Sequence, residues 1–507
     1  MLFRSLGVRI WDCITAIFTN SVLYWLFVKL VKTYKRSLLA AFLEADGLFN
    51  SVWSSSTLRR SLEFLINAVT NLLNRAISPL GRTARNSFFL RLFESLGVLT
   101  PYLISLGIFA FFIIPQERWN NSYSLLLMLA ALALFYVSAI RNRARELSLR
   151  NLGPWTVVYA VTVILSYAWS QNTGQSTRFL FFSVTCILLV LVFVSSIETE
   201  RGIYFAVLCI GAGMCICSLY AVYQSINGIE ASKSFTDLDL NFGMPGRAFS
   251  FFENPNSFAN VLVFFTPLML SMGFYAPRTR EKLFFFSTAS LGAVALLLTY
   301  CRGSWVAFAF AVFILMAILC PRWIPLVIVI GVVIVPFLPQ SILNRILTIF
   351  NSSDSSISSR SYIYSAVIKI IAKNPIFGVG LGSNTLKYAI ESASVYNAHF
   401  PFIHAHNIYL EIWAESGIFA LTAFCFALYH RMRKGIRRIA YGTSPLLKGI
   451  IAGCVSGLSG SLLFGITDFA WGYPRVMVLF WFLFALLCSA NKLSKNYGLK
   501  EILYNGK

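Results

Sequence analysis

Long apolar runs alternate with short polar connections over most of the chain. Between residues 98 and 490 the runs each reach about 17–25 residues, the length that a helix needs to cross the hydrocarbon core of a bilayer. They predict an all-α, polytopic integral membrane protein with about twelve transmembrane helices. The predicted spans are 98–115, 123–140, 155–170, 178–197, 203–226, 256–275, 283–300, 304–320, 323–339, 407–429, 446–467 and 472–490. An even number of spans places both termini on one side of the membrane.

Residues 1–97 have a different pattern, in which basic residues are mixed with apolar residues at helical spacing. The stretch 25–36 is basic and amphipathic, and such helices usually lie in the membrane interface. The pattern predicts an amphipathic extension on the cytoplasmic face. An apolar run at 10–30 is long enough to span, but Asp12 makes that costly. The chain therefore divides into this extension, a transmembrane domain at 98–490 and a cytoplasmic tail at 491–507.

The longest connection between predicted spans is the loop at 340–406. A polar linker at 351–359 precedes an amphipathic helix that starts at Arg360, and Asn374-Pro375 should end that helix. The Gly-rich sequence at 377–382 then predicts a flexible turn. The loop is therefore expected to be large and helical.

Composition and charge support this topology. The chain is 57% hydrophobic and only 12% charged, whereas soluble proteins carry roughly 25% charged residues. Of the 42 Lys and Arg residues, 31 lie on the side of the predicted termini, and positive residues mark the cytoplasm. Both termini are therefore predicted to be cytoplasmic, in the inner or plasma membrane. The net charge of +22 is better explained by contact with anionic membrane lipid than by nucleic acid.

The cysteines and the N-terminus exclude several other classes of protein. The ten cysteines lie mostly in apolar runs without zinc or redox spacing, so no disulfide framework is expected. The first residues lack the pattern of a cleavable signal peptide. No nucleotide-binding fingerprint is present. These observations predict activity on the outer face that is not driven by ATP.

Three of the four histidines, His399, His404 and His406, directly precede a long apolar helix. Asn407 is a candidate N-cap for that helix. His406 would then lie at the positive end of the helix dipole, which disfavours imidazolium and suits a general base. Zinc binding by these histidines is disfavoured, because their spacing is unlike that of structural zinc sites. Glu253 and Asp468 are alternative bases on the same predicted outer face.

Three local motifs resemble one known family. His406-Asn407, followed after nine residues by Gly417, resembles the signature of the O-antigen ligase family, which includes the O-antigen polymerases; where its ligases have a second Gly, this chain has Ala420. Arg302 in Cys-Arg-Gly resembles a second element of the family, and Arg247 before Asn254-Pro-Asn256 resembles a third.

The resemblance implies a membrane glycosyltransferase that uses a glycan on undecaprenyl diphosphate as donor. The acceptor would be lipid A–core for a ligase, or another repeat unit for a polymerase. His406 would be the base, with Arg302 and Arg247 on the diphosphate, and direct attack would invert the anomeric carbon. Candidate substrate contacts are Arg360, His404, Asn407 and Asn256. No metal or cofactor is expected.

Other interpretations remain at this point. Arg302 could extend to lipid head groups, Arg247 could be a solvated loop arginine, and Arg360 could be structural. A flippase for lipid-linked glycans is an alternative function, although transporters place polar residues near mid-bilayer rather than on one face. A membrane scaffold with a basic N-terminus is a further alternative.

Overall fold

The computed structural model describes residues 22–36, 46–77, 87–139, 145–229, 246–347, 355–396 and 402–504, with positions 16 and 20. Within these ranges the chain forms helices and turns and no strand. The helices are α1 Val22–Arg36, α2 Asp46–Ser55, α3 Thr57–Ile66, α4 Ala68–Ile77, α5 Phe88–Val98, α6 Thr100–Ile113, α7 Ser122–Ala139, α8 Pro154–Ser166, α9 Thr173–Ser196, α10 Glu200–Asn227, α11 Pro255–Tyr275, α12 Thr279–Leu298, α13 Arg302–Leu319, α14 Ile324–Ile334, α15 Gln340–Leu347, α16 Ser355–Lys373, α17 Ser383–Ser392, α18 Ile408–Ala440, α19 Pro445–Phe464 and α20 Pro474–Tyr504.

Each of the twelve predicted spans falls on an apolar helix. Within the described ranges, nine helices are long and apolar enough to cross a membrane: α7, α9–α13 and α18–α20. The span predicted at 323–339 is one arm of a pair, 321–337 and 340–347, that is bent by 116°. The other two, at 98–115 and 155–170, are shorter helices that begin beside Pro101 and Pro154. The all-α, polytopic prediction is confirmed, and the described residues hold nine helices of spanning length, or ten if the bent pair is one span.

The centre of the helical bundle is formed by α11, α19 and α20. In the apolar windows of α11 and α20, 89% and 94% of residues are buried inside the protein, against 22% in α13. Glycines of α19 allow this packing: a Cβ on Gly457 would lie 2.0 Å from the carbonyl oxygen of Phe264, and one on Gly453 would lie 2.6 Å from the Cα of Leu268. Small residues at an interface let membrane helices approach closely.

The N-terminal extension is attached to the transmembrane domain. Glu63 on α3 accepts a hydrogen bond of 2.8 Å from the backbone of Leu149, and the amide of Asn67 pairs with both backbone groups of Leu147 at 2.9 and 3.0 Å. The hydroxyl of Tyr136 donates to the carbonyl of Ile66 at 2.6 Å. The sequence pattern predicts the helices of this segment but not these contacts.

Helix α18 is broken at Gly417, and the Gly-rich segment after α16 fills the break. Gly417 has a φ of 82°, and a Cβ there would lie 1.8 Å from the carbonyl oxygen of Ile376. The carbonyls that the break leaves free at Ala414 and Glu415 accept hydrogen bonds of 2.8 and 3.0 Å from the backbone of Val379 and Gly380. The segment 377–382 is thus a turn that is hydrogen-bonded to α18. Its glycines and Gly417 are needed for close backbone approach.

The long loop contains α15, α16 and α17, of which the pattern predicts α16, and α16 ends at Lys373 before Asn374-Pro375. However, α16 starts at Ser355 rather than at Arg360. The prediction that Arg360 begins this helix is therefore wrong, since the serines of the linker join it. His399, residues 230–245 and most of residues 10–21, the first part of the possible span at 10–30, lie outside the described residues.

Candidate functional site

The predicted site residues converge on one face of the bundle. This surface, here called the histidine face, is formed by residues 246–256, 299–305, 402–407 and 465–473. The segments are joined by hydrogen bonds from Arg247 to Thr299, from Asn256 to Asp468 and between His406 and Asp468. Four separate stretches of sequence therefore build a single site.

His406 is held at the N-terminus of α18 in a left-handed backbone conformation, with a φ of 47°. Asn407 caps the helix, as predicted, and accepts hydrogen bonds of 2.9 and 3.0 Å from the backbone of Tyr409 and Leu410. The hydroxyl of Tyr364 on α16 donates to the carbonyl of His406 at 3.1 Å and to that of Ile466 at 3.1 Å. Such a conformation is costly for a residue other than Gly, so these contacts must hold it.

The ring of His406 pairs with Asp468, with 3.1 Å between Nδ1 and Oδ1. Asp468 is 6% exposed, and its Oδ1 also accepts the N–H of Phe469 at 2.8 Å. Burial alone would raise the pKa of Asp468, yet the hydrogen bond from His406 and the nearby charge of Arg360 hold it below its usual range. The ionised carboxylate can only accept, so Nδ1 of His406 donates and Nε2 keeps the free lone pair.

Behind this pair, a chain of hydrogen bonds fixes which group donates and which accepts at each step. Arg247 donates from Nη2 to Oδ1 of Asn256 at 2.5 Å, and from Nε to the carbonyl of Thr299 at 2.7 Å. Asn256 then donates from Nδ2 to Oδ2 of Asp468 at 2.9 Å. Because a guanidinium can only donate, Arg247 fixes the amide orientation of Asn256. The chain thus ends in the tautomer of His406 that a general base needs.

Arg302, the first residue of α13, lies beside this chain. The start of α13 packs tightly, since a Cβ on Gly303 would lie 2.8 Å from Oγ1 of Thr467. Burial lowers the pKa of Arg247, and the charge of Arg302 adds to that effect while Asp468 opposes it. Two guanidinium groups therefore lie within electrostatic range of each other and of Asp468.

Arg360 borders the same site from α16, one helical turn before Tyr364. Its charge acts on both Asp468 and His404. Arg360 is the sixth residue of α16 rather than its first. Its place beside the site supports a role there.

His404 stabilises the loop that leads to His406. It is 8% exposed, and its Nδ1 accepts the backbone N–H of His406 at 3.1 Å. Burial and the charge of His406 lower the pKa of His404 to about 3, so the ring is neutral. The rings of the two histidines lie 4.0 Å apart between centroids.

Three side chains here come close enough to hold a metal ion: the ligand atoms of His404, His406 and Asp468 lie within 4.8 Å of one another. These groups are already engaged with each other, since Nδ1 of His404 accepts from the backbone of His406 and both oxygens of Asp468 accept hydrogen bonds. The charge of Arg360 acts on the same cluster. A further positive ion is disfavoured electrostatically.

Sequence reasoning named Asp468 only as an alternative base and did not single out Tyr364 or Arg345. Arg345 on α15 is buried and donates from Nε to the carbonyl of Tyr300 at 3.4 Å, next to the Arg302 turn. Glu253, the other alternative base, interacts with Arg475 instead. The position of Asp468 between two predicted spans was the only signal for it, and it does not reveal the partner.

Comparison with known proteins agrees with the motifs. Residues 285–425 match a family described as O-Antigen ligase. No curated protein matches the chain. The matched region contains Arg302, Arg360, His406 and Gly417, whereas Arg247, Asn256 and Asp468 lie outside it. The chain is therefore a multi-pass, α-helical membrane protein with a region, residues 285–425, that is similar to the O-antigen ligase family.

Proposed function

We propose that the chain transfers a glycan from undecaprenyl diphosphate to the hydroxyl of a glycan or lipid-linked glycan acceptor, as an O-antigen ligase-like enzyme or a polymerase. The observation that carries this proposal is the His406–Asp468 pair, which leaves Nε2 of His406 free in a site that Arg302 and Arg360 border. A base with a fixed tautomer next to clustered guanidinium groups suits transfer from a diphosphate leaving group.

In the proposed reaction, Nε2 of His406 takes the proton of the acceptor hydroxyl as that oxygen attacks the anomeric carbon. The bond between this carbon and the diphosphate oxygen breaks, and its electron pair leaves with undecaprenyl diphosphate. Arg302, which is partly exposed, contacts the diphosphate, and the buried Arg247 adds its charge from behind. Attack from the side opposite the leaving group inverts the anomeric configuration. The arginines offset the growing charge, so the proposed step uses no metal.

The remaining candidate substrate residues receive different roles. Arg360 stays a substrate contact, since it borders the site and forms no hydrogen bond with another described residue. Asn407 and Asn256 use both polar atoms of their side chains to hold the loop and Asp468. We therefore assign these two, with His404, to positioning of His406.

We further propose that the histidine face lies outside the cytoplasmic membrane and that both termini are cytoplasmic. The distribution of Lys and Arg supports this orientation. Lys387 on α17, whose side chain is 42% exposed, offers a test. In spheroplasts, a Lys387→Cys variant should react with a membrane-impermeant maleimide before lysis; reaction only after lysis would reverse the orientation.

The function is tested by deleting the gene and comparing surface glycans with lipid-linked precursors on gels. Long chains replaced by single lipid-linked units would indicate a polymerase. Full-length chains that stay on undecaprenyl diphosphate would indicate a ligase. Complementation with His406→Ala should not restore the wild-type pattern of surface glycans and lipid-linked precursors. Complementation with Lys387→Ala should restore it. Precursors trapped on the cytoplasmic side would indicate a flippase and contradict the proposal, as would full activity of His406→Ala.

A further inference from the structure

Two carboxyl groups that the proposed reaction does not use lie behind the histidine loop, one buried and one half-buried. Glu411 and Glu415 lie one turn apart in the first turns of α18, and Glu411 has no exposed surface. Oε2 of Glu411 accepts the backbone N–H of Ala405 at 2.6 Å, and its Oε1 accepts the hydroxyl of Ser383 at 2.6 Å. Ala405 directly precedes His406, so Glu411 is hydrogen-bonded to the residue next to the proposed base.

The hydrogen bonds show which of the two acids carries a proton. The carboxyl groups of Glu411 and Glu415 lie close enough to interact directly, and a hydrogen bond between two carboxyl groups needs a proton on one of them. Both oxygens of Glu411 already accept from other donors. Glu411 is therefore the carboxylate, and Glu415 is the acid that donates to it.

The surroundings of Glu415 agree with this assignment. Glu415 lines a small cavity whose other walls include Tyr159, Phe179, Phe469 and Trp471. Its Oε1 is buried there without a hydrogen-bond partner among the described residues. A charge in such an apolar cavity would be costly, whereas a neutral acid with one free acceptor atom is tolerated. The ionisable groups that face the pair are His406 and Tyr159.

The location of His406 explains why a second carboxylate is useful. The N-terminus of α18 carries the positive end of the helix dipole, which favours the neutral ring before reaction. During the proposed transfer this ring becomes an imidazolium, and the same dipole then opposes it. Asp468 offsets part of this effect through its direct hydrogen bond. Glu411 lies in the first turn of α18, and its charge also attracts that of His406.

We propose that Glu411 is a positioning residue that fixes the histidine loop through Ala405 and stabilises the imidazolium by its charge. Glu415 is its proton-carrying partner. This inference rests on the proposed function, because it assumes that His406 takes a proton. It assigns different charge states to two glutamates that lie one helical turn apart.

The test compares Glu411→Gln with Glu415→Gln in liposomes, using lipid-linked glycan extracted from the deletion strain as donor. Glu411→Gln removes the charge and should lower kcat about 10- to 100-fold, as small misplacements of catalytic groups do. KM for the donor should change less than about 2-fold, because the substrate contacts remain. The acid limb of the pH–rate profile should move to lower pH, because a negative charge that favours protonation of the base is lost.

Glu415→Gln should retain kcat within about 3-fold, because the amide N–H donates to Glu411 as the acid does. Glu415→Leu, which removes that donor, should lower kcat about 10-fold. Glu391→Gln is the matched control, since this carboxylate is 63% exposed on α17 and pairs only with Lys387. Equal effects of the two Gln variants, or an unchanged kcat in Glu411→Gln, would overturn the inference.

The outcomes separate this inference from the proposed function. If the wild type shows no transfer, or if His406→Ala still transfers, the proposed function itself is contradicted. An active wild type and an inactive His406→Ala, combined with a wild-type profile for Glu411→Gln, would remove only the role of Glu411. If Glu411→Gln does not fold, as judged by size-exclusion chromatography, Ser383→Ala tests the same network. We expect kcat to fall about 3- to 10-fold in that variant, and an unchanged kcat would overturn the inference.

Discussion

Replacement of Asp468 by Asn tests the link between the hydrogen-bond chain and the reaction. The pair is 3.1 Å apart, and at an effective dielectric constant near 20 a full charge pair at this distance is worth about 5 kcal/mol. If proton transfer is half complete in the transition state, roughly 2.5 kcal/mol is lost. That corresponds to a decrease in kcat of about 70-fold.

The Asn side chain has a second effect, because its amide introduces a hydrogen-bond donor at a position where only an acceptor fits. The Oδ1 position of Asp468 faces the N–H of Phe469 and the ring of His406, and its Oδ2 position faces the amide N–H of Asn256. With its oxygen toward Asn256, the new amide would present its own N–H to His406 and favour the wrong tautomer. The total decrease in kcat should therefore lie between about 100- and 10,000-fold.

The assay is transfer in liposomes from the lipid-linked glycan of the deletion strain, with folding checked by size-exclusion chromatography. Glu253→Gln is the matched control, because this carboxyl lies on the same face and forms no hydrogen bond with His406. It should stay within about 3-fold of the wild-type kcat. A kcat of Asp468→Asn within 5-fold of the wild type, or a larger loss in Glu253→Gln, would refute the reasoning.

Three further predictions concern the support of the site. Tyr364→Phe removes the hydroxyl that holds the carbonyl of His406, so kcat should fall about 5- to 10-fold in the same assay. Arg475→Met leaves four backbone carbonyls without their buried donor, so the free energy of unfolding should fall by about 3–5 kcal/mol, seen as a lower Tm. Because burial lowers the pKa of His404 from 6.5 to about 3, the unfolded chain binds more protons between these values, and stability falls as pH decreases through that window. His404→Asn should make Tm less dependent on pH there, and an unchanged pH dependence would contradict the assignment.

The transmembrane helices could be predicted because each depends on local composition. A run of apolar residues is enough to indicate a span, and all twelve predicted runs lie on apolar helices. The errors came from geometry that composition does not encode. The run at 323–339 belongs to a bent pair, and α16 extends over a polar linker as far back as Ser355.

The candidate site could be predicted only in part, because its residues are far apart in the sequence. Arg302 and His406 belong to local motifs, and the structure brings them to one face. Asp468 belongs to no such motif and meets His406 only through the packing of α18 against α19 and α20. Pairing across 62 residues depends on the tertiary arrangement, so a single sequence does not reveal it.

Gly417 shows how one residue of a sequence motif acts at a distance. The break at Gly417 frees the carbonyls that bind the turn at 377–382, and Ser383 directly follows this turn. Ser383 donates to Glu411, and Glu411 holds the backbone of Ala405 directly before His406. The two ends of the motif, His406 and Gly417, are thus connected through a series of backbone and carboxyl hydrogen bonds, here called the circuit. The glycine is required because its backbone leaves room for this circuit, rather than because it approaches the substrate.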